Sequence, residues 1–291
     1  MKKIFFLTLF LLLSFLACSQ KNPKELKIAT NSWIGYAPLF YAQEKGYLKT
    51  LNITLLPTVS LAESANLYDI AKADIVTTTQ HEYYSLKQTG HDIIPIILLD
   101  RSNGGDMVLS NKTIAQLQKA KKIYTYLEID SINSEILKEF MQHYKLHMQQ
   151  MVFINKDQAK IEDLQNTNKK NILIVTYAPY NSKLEAKGFQ EVASTRNMHT
   201  LFVIDALCTS QYTLKKYKKR LQKLKVLIDR SIAEIQKDKK NAYLLTKNYL
   251  GNISYEEFSH SLSLIKWINK PSKKLFTYIE PLGYKKEMLL K

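Results

Sequence analysis

LDRSNGGDMV, residues 99–108, is the stretch on which the reading of this chain turns. The chain has 291 residues and only 8 glycines, and two of them, Gly104 and Gly105, stand side by side here. They follow an apolar, β-rich run, IIPIILLD (residues 93–100), and precede an apolar exit at Met107 and Val108. Glycine has no Cβ, so the backbone turns tightly there and other groups can approach it closely. Ser102, Asn103 and Asp106 place a hydroxyl, an amide and a carboxylate around the turn. In open α/β sheets such loops at the carboxyl ends of strands line the ligand crevice.

The flanking sequence supplies the sheets. LKIAT (26–30) reads as a strand, and a helix over LFYAQEKGYL ends near Gly46, a residue suited to a helix C-terminus. NITLLPTV (52–59) alternates as a second strand, and SLAE (60–63) is a capping box opening a helix. ADIVTTT is a short buried strand, followed by a helix through Leu86 to Gly90. Beyond the glycine pair come the strands KKIYTYLE, MVFIN, NILIVTYAPY and LFVIDALCTS. Between the first two lies a helix with Ile132, Ile136, Leu137, Phe140, Met141 and Tyr144 on one face. The remainder reads as helical: one helix over 212–247, then one capped at Ser254 and Glu257 with Phe258, Leu262 and Ile265 on one face. This alternation predicts βαβ units in a largely parallel sheet.

The N-terminus reads as a secretory leader over residues 1–17, with Lys2 and Lys3 before an apolar run. That run is shorter than the roughly 20 residues a spanning helix needs. Cys18 follows Leu16 and Ala17 in a pattern that resembles a bacterial lipobox, with Phe15 where leucine is usual. A lipidated Cys18 and a polar tether over 18–25 would hold the protein at a membrane surface. Cys208 is the one other cysteine, so no disulfide framework is expected. The net charge of +16 comes almost entirely from lysine. An exported chain meets little nucleic acid, so none is expected as a partner, and the run KKYKKRLQKLK (215–225) reads as a solvated helix face.

Three loops follow strands and carry recognition chemistry: Ser32, Trp33 and Tyr36; Thr77, Thr78 and Thr79; and Ser102, Asn103, Gly104, Gly105 and Asp106. Hydroxyls, amides and backbone N–H groups beside flat aromatic walls suit a small polar solute. Catalysis finds less support. No nucleophile elbow surrounds a serine. Cys208 has no histidine nearby in sequence and reads as a buried strand residue. His143 and His147 share a helix face without the further ligands zinc needs, so no metal and no cofactor are expected. Asp100 and Asp106 could act as an acid–base pair, contact a ligand amine or pin the loop. Arg101 could pair an anionic solute or bridge to an acid such as Asp100.

KIATNSWIGYAPLFYAQEKGYL, ADIVTTTQHEYYSLKQTG, LLDRSNGGDMVLS and TYAPYNSKLEAKG resemble, in that order, the solute-binding proteins of sulfonate/nitrate/taurine-type ABC importers and the related binders of thiamine-pyrimidine precursors. The resemblance implies a two-lobe type II periplasmic binding protein fold with two crossover hinge strands. Lobe 1 would span 26–108 plus 201–291 and lobe 2 109–200, with hinges near 107–110 and 200–203. It implies ligand positions at the three loops, at Asp130 and Ser131, and at Tyr177, where members of the family often carry Trp followed by Glu. It implies a monomer on the periplasmic or cell-surface side of a bacterial membrane, anchored through Cys18, that hands its solute to an ABC permease. A sensor module for a membrane signalling protein, and an enzyme of thiamine-pyrimidine synthesis, share the fold. The net charge favours an anion, and Trp33, Tyr36 and Tyr177 favour a flat ring such as a pyrimidine.

Overall fold

The computed structural model describes residues 24–167, 169–198 and 201–290; the leader and Cys18 lie outside the described residues. Strands β1 (Leu26–Asn31), β2 (Ile53–Thr58), β3 (Ile75–Thr78) and β4 (Ile94–Ser102) enter one sheet. Strands β5 (Asp106–Ser110), β6 (Ile123–Leu127), β7 (Met151–Asn155), β8 (Ile172–Tyr177) and β9 (Gln190–Ser194) build a second. The chain then returns to the first sheet with β10 (Ile204–Thr209) and β11 (Ile265–Trp267). The orders are β11-β4-β10-β3-β1-β2 and β7-β6-β8-β5-β9. Each sheet is the floor of one lobe.

Buried apolar runs make the central strands. Ile94 to Asp100 is buried at every residue, as expected of a strand covered on both faces. The helix Gln211–Lys237 lays Leu221, Leu224, Ile228, Ile232 and Ile235 on the first lobe's core at helical spacing. Most of its lysines lie on the exposed side, although Lys225 is buried and paired with Asp229 at 2.5 Å.

Four expectations are corrected. Both sheets are mixed rather than largely parallel: β10 runs antiparallel to β3 and β4, and β5 antiparallel to β8 and β9. Strands that cross between lobes enter the new sheet directly, without the crossover helix that parallel pairing needs. The helix expected to carry Ile265 stops at Ser263, and Ile265 pairs with Ser102 as an edge strand. The long C-terminal helix is broken at Asp238, whose side chain caps Asn241 N. Finally, Asp106 to Ser110 pairs wholly within the second sheet, so the outward crossing falls on residues 103–105 and not on the strand after it.

Candidate functional site

The strand ends converge between the sheets. Asn31 ends β1, and Trp33 and Tyr36 lie in the loop that leads into the helix Ala37–Glu44. Thr79 follows β3 and caps the helix Gln80–Gln88. Asp100 lies near the end of β4, Asp106 starts β5, Tyr177 ends β8 and Asp205 lies at the start of β10. A cavity of about 10 Å³ is lined by Asn31, Trp33, Tyr36, Leu61, Thr79, Asp106, Tyr177 and Asp205.

Each aromatic wall is tied to a polar partner. Trp33 Nε1 donates to both carboxylate oxygens of Asp100, at 3.2 and 3.3 Å. Tyr36 OH donates to Asp205 Oδ1 at 2.5 Å. Asn31 Nδ2 donates to Tyr177 OH at 3.0 Å, from the first lobe to the second. Trp33 meets Tyr177 edge to face, with ring centroids 5.9 Å apart.

The glycine pair is explained by space and by turn geometry. Gly104 has φ +106°, a conformation that favours glycine, and its N–H donates to Thr195 Oγ1 at 2.8 Å. At Gly105 a Cβ would lie 2.5 Å from Trp33 Cη2, so the indole requires glycine there. Ser102 Oγ receives Asp106 N at 3.0 Å and bonds Thr195 Oγ1 at 2.7 Å, tying the outgoing crossing to the returning one.

The other candidate residues have structural surroundings. Thr77 and Thr78 are buried in the sheet, on Ala29 O and on Cys208 Sγ respectively. Burial pushes the Cys208 thiol up to about 12. Thr79 lines the cavity, but its hydroxyl donates to Glu82 Oε2 at 2.5 Å. Ser32 is half-buried beside Tyr180. Asn103 O accepts from Arg196 Nη2 at 3.3 Å. Ser131 donates to Glu128 O at 2.9 Å and Asp130 is exposed. Arg101 alternates with Asp100 along β4 and its guanidinium lies 4.3 Å from the centre of the Phe202 ring.

Sequence reasoning overlooked Asp205, Glu82 and Glu128. The readable signal was a single acid inside an apolar strand: Asp205 within LFVIDALC is costly unless it is used. Burial raises the carboxyl of Asp106 to about 7 and that of Glu128 to about 8. Asp100 and Asp205 are raised well above the ordinary carboxylate range, first by burial, and for Asp205 next by the charge of Asp100.

The lobes are closed on one another. Glu82 Oε1 accepts Ile132 N at 3.1 Å, Ile34 N donates to Ala178 O at 3.3 Å, and Leu61 of the first lobe joins the second lobe's core. At the rim His81 Nδ1 meets Glu135 Oε1 at 2.9 Å. The hydrogen bond to Glu135 raises the His81 pKa, so this contact is at full strength below the ordinary histidine range and is lost as pH rises through the raised value. Their side chains are 26% and 41% exposed, which limits the pair to under ~1 kcal/mol. His81→Ala is expected to loosen the closed lobes and to enlarge the radius of gyration by X-ray scattering. An unchanged radius would remove the latch from the account.

A family model described as NMT1/THI5 like matches residues 33–242. No curated protein matches the chain in sequence. In structure the chain is similar to the alkanesulfonate-binding protein SsuA of Xanthomonas axonopodis pv. citri bound to MOPS (TM-score 0.72, 12% identity, 92% of this chain and 98% of that one). It is also similar to the zinc-bound ligand-binding component of an ABC-type import system from Staphylococcus aureus (0.70, 13%, 92% and 97%). A third similar structure is the periplasmic nitrate-binding protein NrtA of Synechocystis PCC 6803 (0.64, 10%, 81% and 69%). At these identities the likeness establishes a shared fold, the two-lobe type II periplasmic binding fold.

Proposed function

The chain belongs to the NMT1/THI5-like family, and from that premise we propose that it is an extracytoplasmic, lipid-anchored solute-binding protein that serves an ABC importer. The observation that carries this reading is the closure of two lobes over a cavity walled by Trp33, Tyr36 and Tyr177 and edged by polar strand ends. The family likeness and the import proteins that share the fold support it.

A cavity of about 10 Å³ has room for about one water. An alkanesulfonate or a pyrimidine therefore enters only when the lobes part. Residues 103–105, which join the two sheets, act as the hinge together with the return of the chain from β9 to β10. Solute favours the closed form by as much as it binds that form better than the open one. A monomer suffices for this cycle, because both walls of the cavity come from one chain.

A thermal-shift screen across sulfonates, nitrate, bicarbonate and pyrimidines tests the reading. With the compound so found, Trp33→Ala removes a wall of the cavity and leaves Asp100 without its donor. It is expected to weaken binding at least tenfold by calorimetry while the protein still folds. Equal affinity in the variant and the parent protein would remove this cavity as the site.

Among the described residues no helix is long and apolar enough to cross a membrane. In this reading attachment is made through Cys18. Cys18→Ser is expected to move the protein from the membrane fraction to the soluble one, and continued sedimentation with membranes would refute the anchor.

A further inference from the structure

Solute capture leaves the charge of the cleft unexplained. Asp100, Asp106 and Asp205 are 0%, 4% and 2% exposed, and none of the eight residues lining the cavity is basic. Each of the three acids has a donor, Trp33 Nε1 for Asp100, Tyr36 OH for Asp205 and the Ser102 hydroxyl for Asp106. Asp106 differs, because its Oδ2 is buried without a hydrogen-bond partner. Asn31 Oδ1, on a residue 1% exposed, also lacks one, although its amide nitrogen is committed to Tyr177. Both atoms are acceptors, and both belong to residues that line the same cavity. Buried acceptors left unpaired are costly, and an unpaired buried carboxylate most of all.

The complement to this lining is a cation that donates hydrogen bonds. A metal ion fits poorly, since no group of three or more acidic, histidine or cysteine side chains is placed to hold one among the described residues. Three aromatic rings suit an organic cation, which gains from their faces as a metal dehydrated by carboxylates does not. The protein's positive net charge is no obstacle, because surface lysines are screened beyond about 8 Å at physiological ionic strength. We propose that the cleft takes its solute by a protonated amine or amidine, whose N–H groups bond Asp106 and Asn31 Oδ1. This rests on the solute-binding reading and narrows its substrate class.

The arrangement also couples binding to closure. Asn31 belongs to the first lobe's sheet and Asp106 to the second's. A cation touching both has its full set of partners only when the lobes meet, and that difference in affinity drives closure. Asp106, raised to about 7 by burial, gives up a proton when the cation arrives. Affinity for an amine that stays charged therefore rises by about tenfold between pH 6 and pH 8.

The test is calorimetry with n-propylammonium, 1-propanol and propanesulfonate, which share a carbon skeleton, and with benzamidine against benzenesulfonate. The amine or the amidine is expected to bind at least tenfold tighter than its uncharged or anionic counterpart, and more tightly at pH 8 than at pH 6. Asp106→Asn and Asn31→Leu, one on each lobe, are each expected to cost the cation tenfold or more and to leave 1-propanol unaffected. Circular dichroism confirms that each variant folds, and if one does not, the other still tests the contact. A sulfonate that binds tighter than its amine overturns the proposal and leaves solute capture standing. Amine affinity unchanged in a folded variant also overturns it. If no compound of this panel binds, the proposal falls, while solute capture is judged by the wider screen.

Discussion

Gly35→Ala should abolish solute binding and destabilise the protein by about 3–5 kcal/mol, the sum expected from overpacking and a lost charged hydrogen bond. A Cβ on Gly35 would lie 2.0 Å from Asp100 Oδ2 and 2.3 Å from Trp33 Nε1, where real Cβ atoms are not found. Neither neighbour can give way cheaply. Asp100 is fully buried on β4, next to β10 in the sheet. Trp33 is held between Tyr177, edge-on at 5.9 Å, and Gly105, whose own Cβ would strike it. The methyl group must break the Trp33–Asp100 bond, strand a buried carboxylate and displace a wall of the cavity. Gly46→Ala is the control. Gly46 has φ +71° and nothing within 4 Å of its Cβ position, so alanine there meets only backbone strain, about 1–2 kcal/mol, with binding intact. Chemical denaturation and calorimetry on both variants separate the two costs. Binding retained in Gly35→Ala would show that the indole and Asp100 do not shape the site.

Much of this cleft was legible because strand ends are local signals. Asn31 to Tyr36, Ser102 to Asp106 and Tyr177 each follow an apolar run, and chemistry at such ends needs no knowledge of the neighbouring strand. Asp205 was hidden for the opposite reason. Its meaning comes from pairing with Asp100 across β10 and β4, strands more than a hundred residues apart, and periodicity within either strand is blind to that register. Glu82 shows the same limit. Thr79 and Glu82 form a readable capping box, yet the other oxygen of Glu82 accepts Ile132 N from the opposite lobe. The antiparallel entry of β5 and β10 escaped for a related reason, because the alternation of strands and helices carries no strand direction. Leu61 opens a helix of the first lobe, and its place in the other lobe's core depends on how the lobes meet.

Stability should fall as pH rises from 5 to 8, the reverse of a protein held together by ionised carboxylates. In an unfolded chain these acids titrate near 4. In the folded protein burial raises Asp106 to about 7 and Glu128 to about 8, and raises Asp100 and Asp205 as well. Between those limits the folded state binds more protons than the unfolded one, so the slope of unfolding free energy against pH is negative. The loss begins as pH rises past about 4 and continues as Asp106 and Glu128 ionise, near 7 and 8 in the folded protein. His81 acts in the same direction, since its raised pKa gives a contact present at low pH and lost as pH rises. Several buried acids together make a loss of several kcal/mol, or roughly 10–20 °C in melting temperature for a chain of this size. Below pH 5 the high positive charge works against the trend, so the window from 5 to 8 is the one to measure. Asp106→Asn should flatten the slope, because it removes one of the titrations that cause it. A melting temperature that is level or climbs from pH 5 to pH 8 would mean these acids are ionised at no cost, and with that the case for a cation as their partner would lose its physical basis.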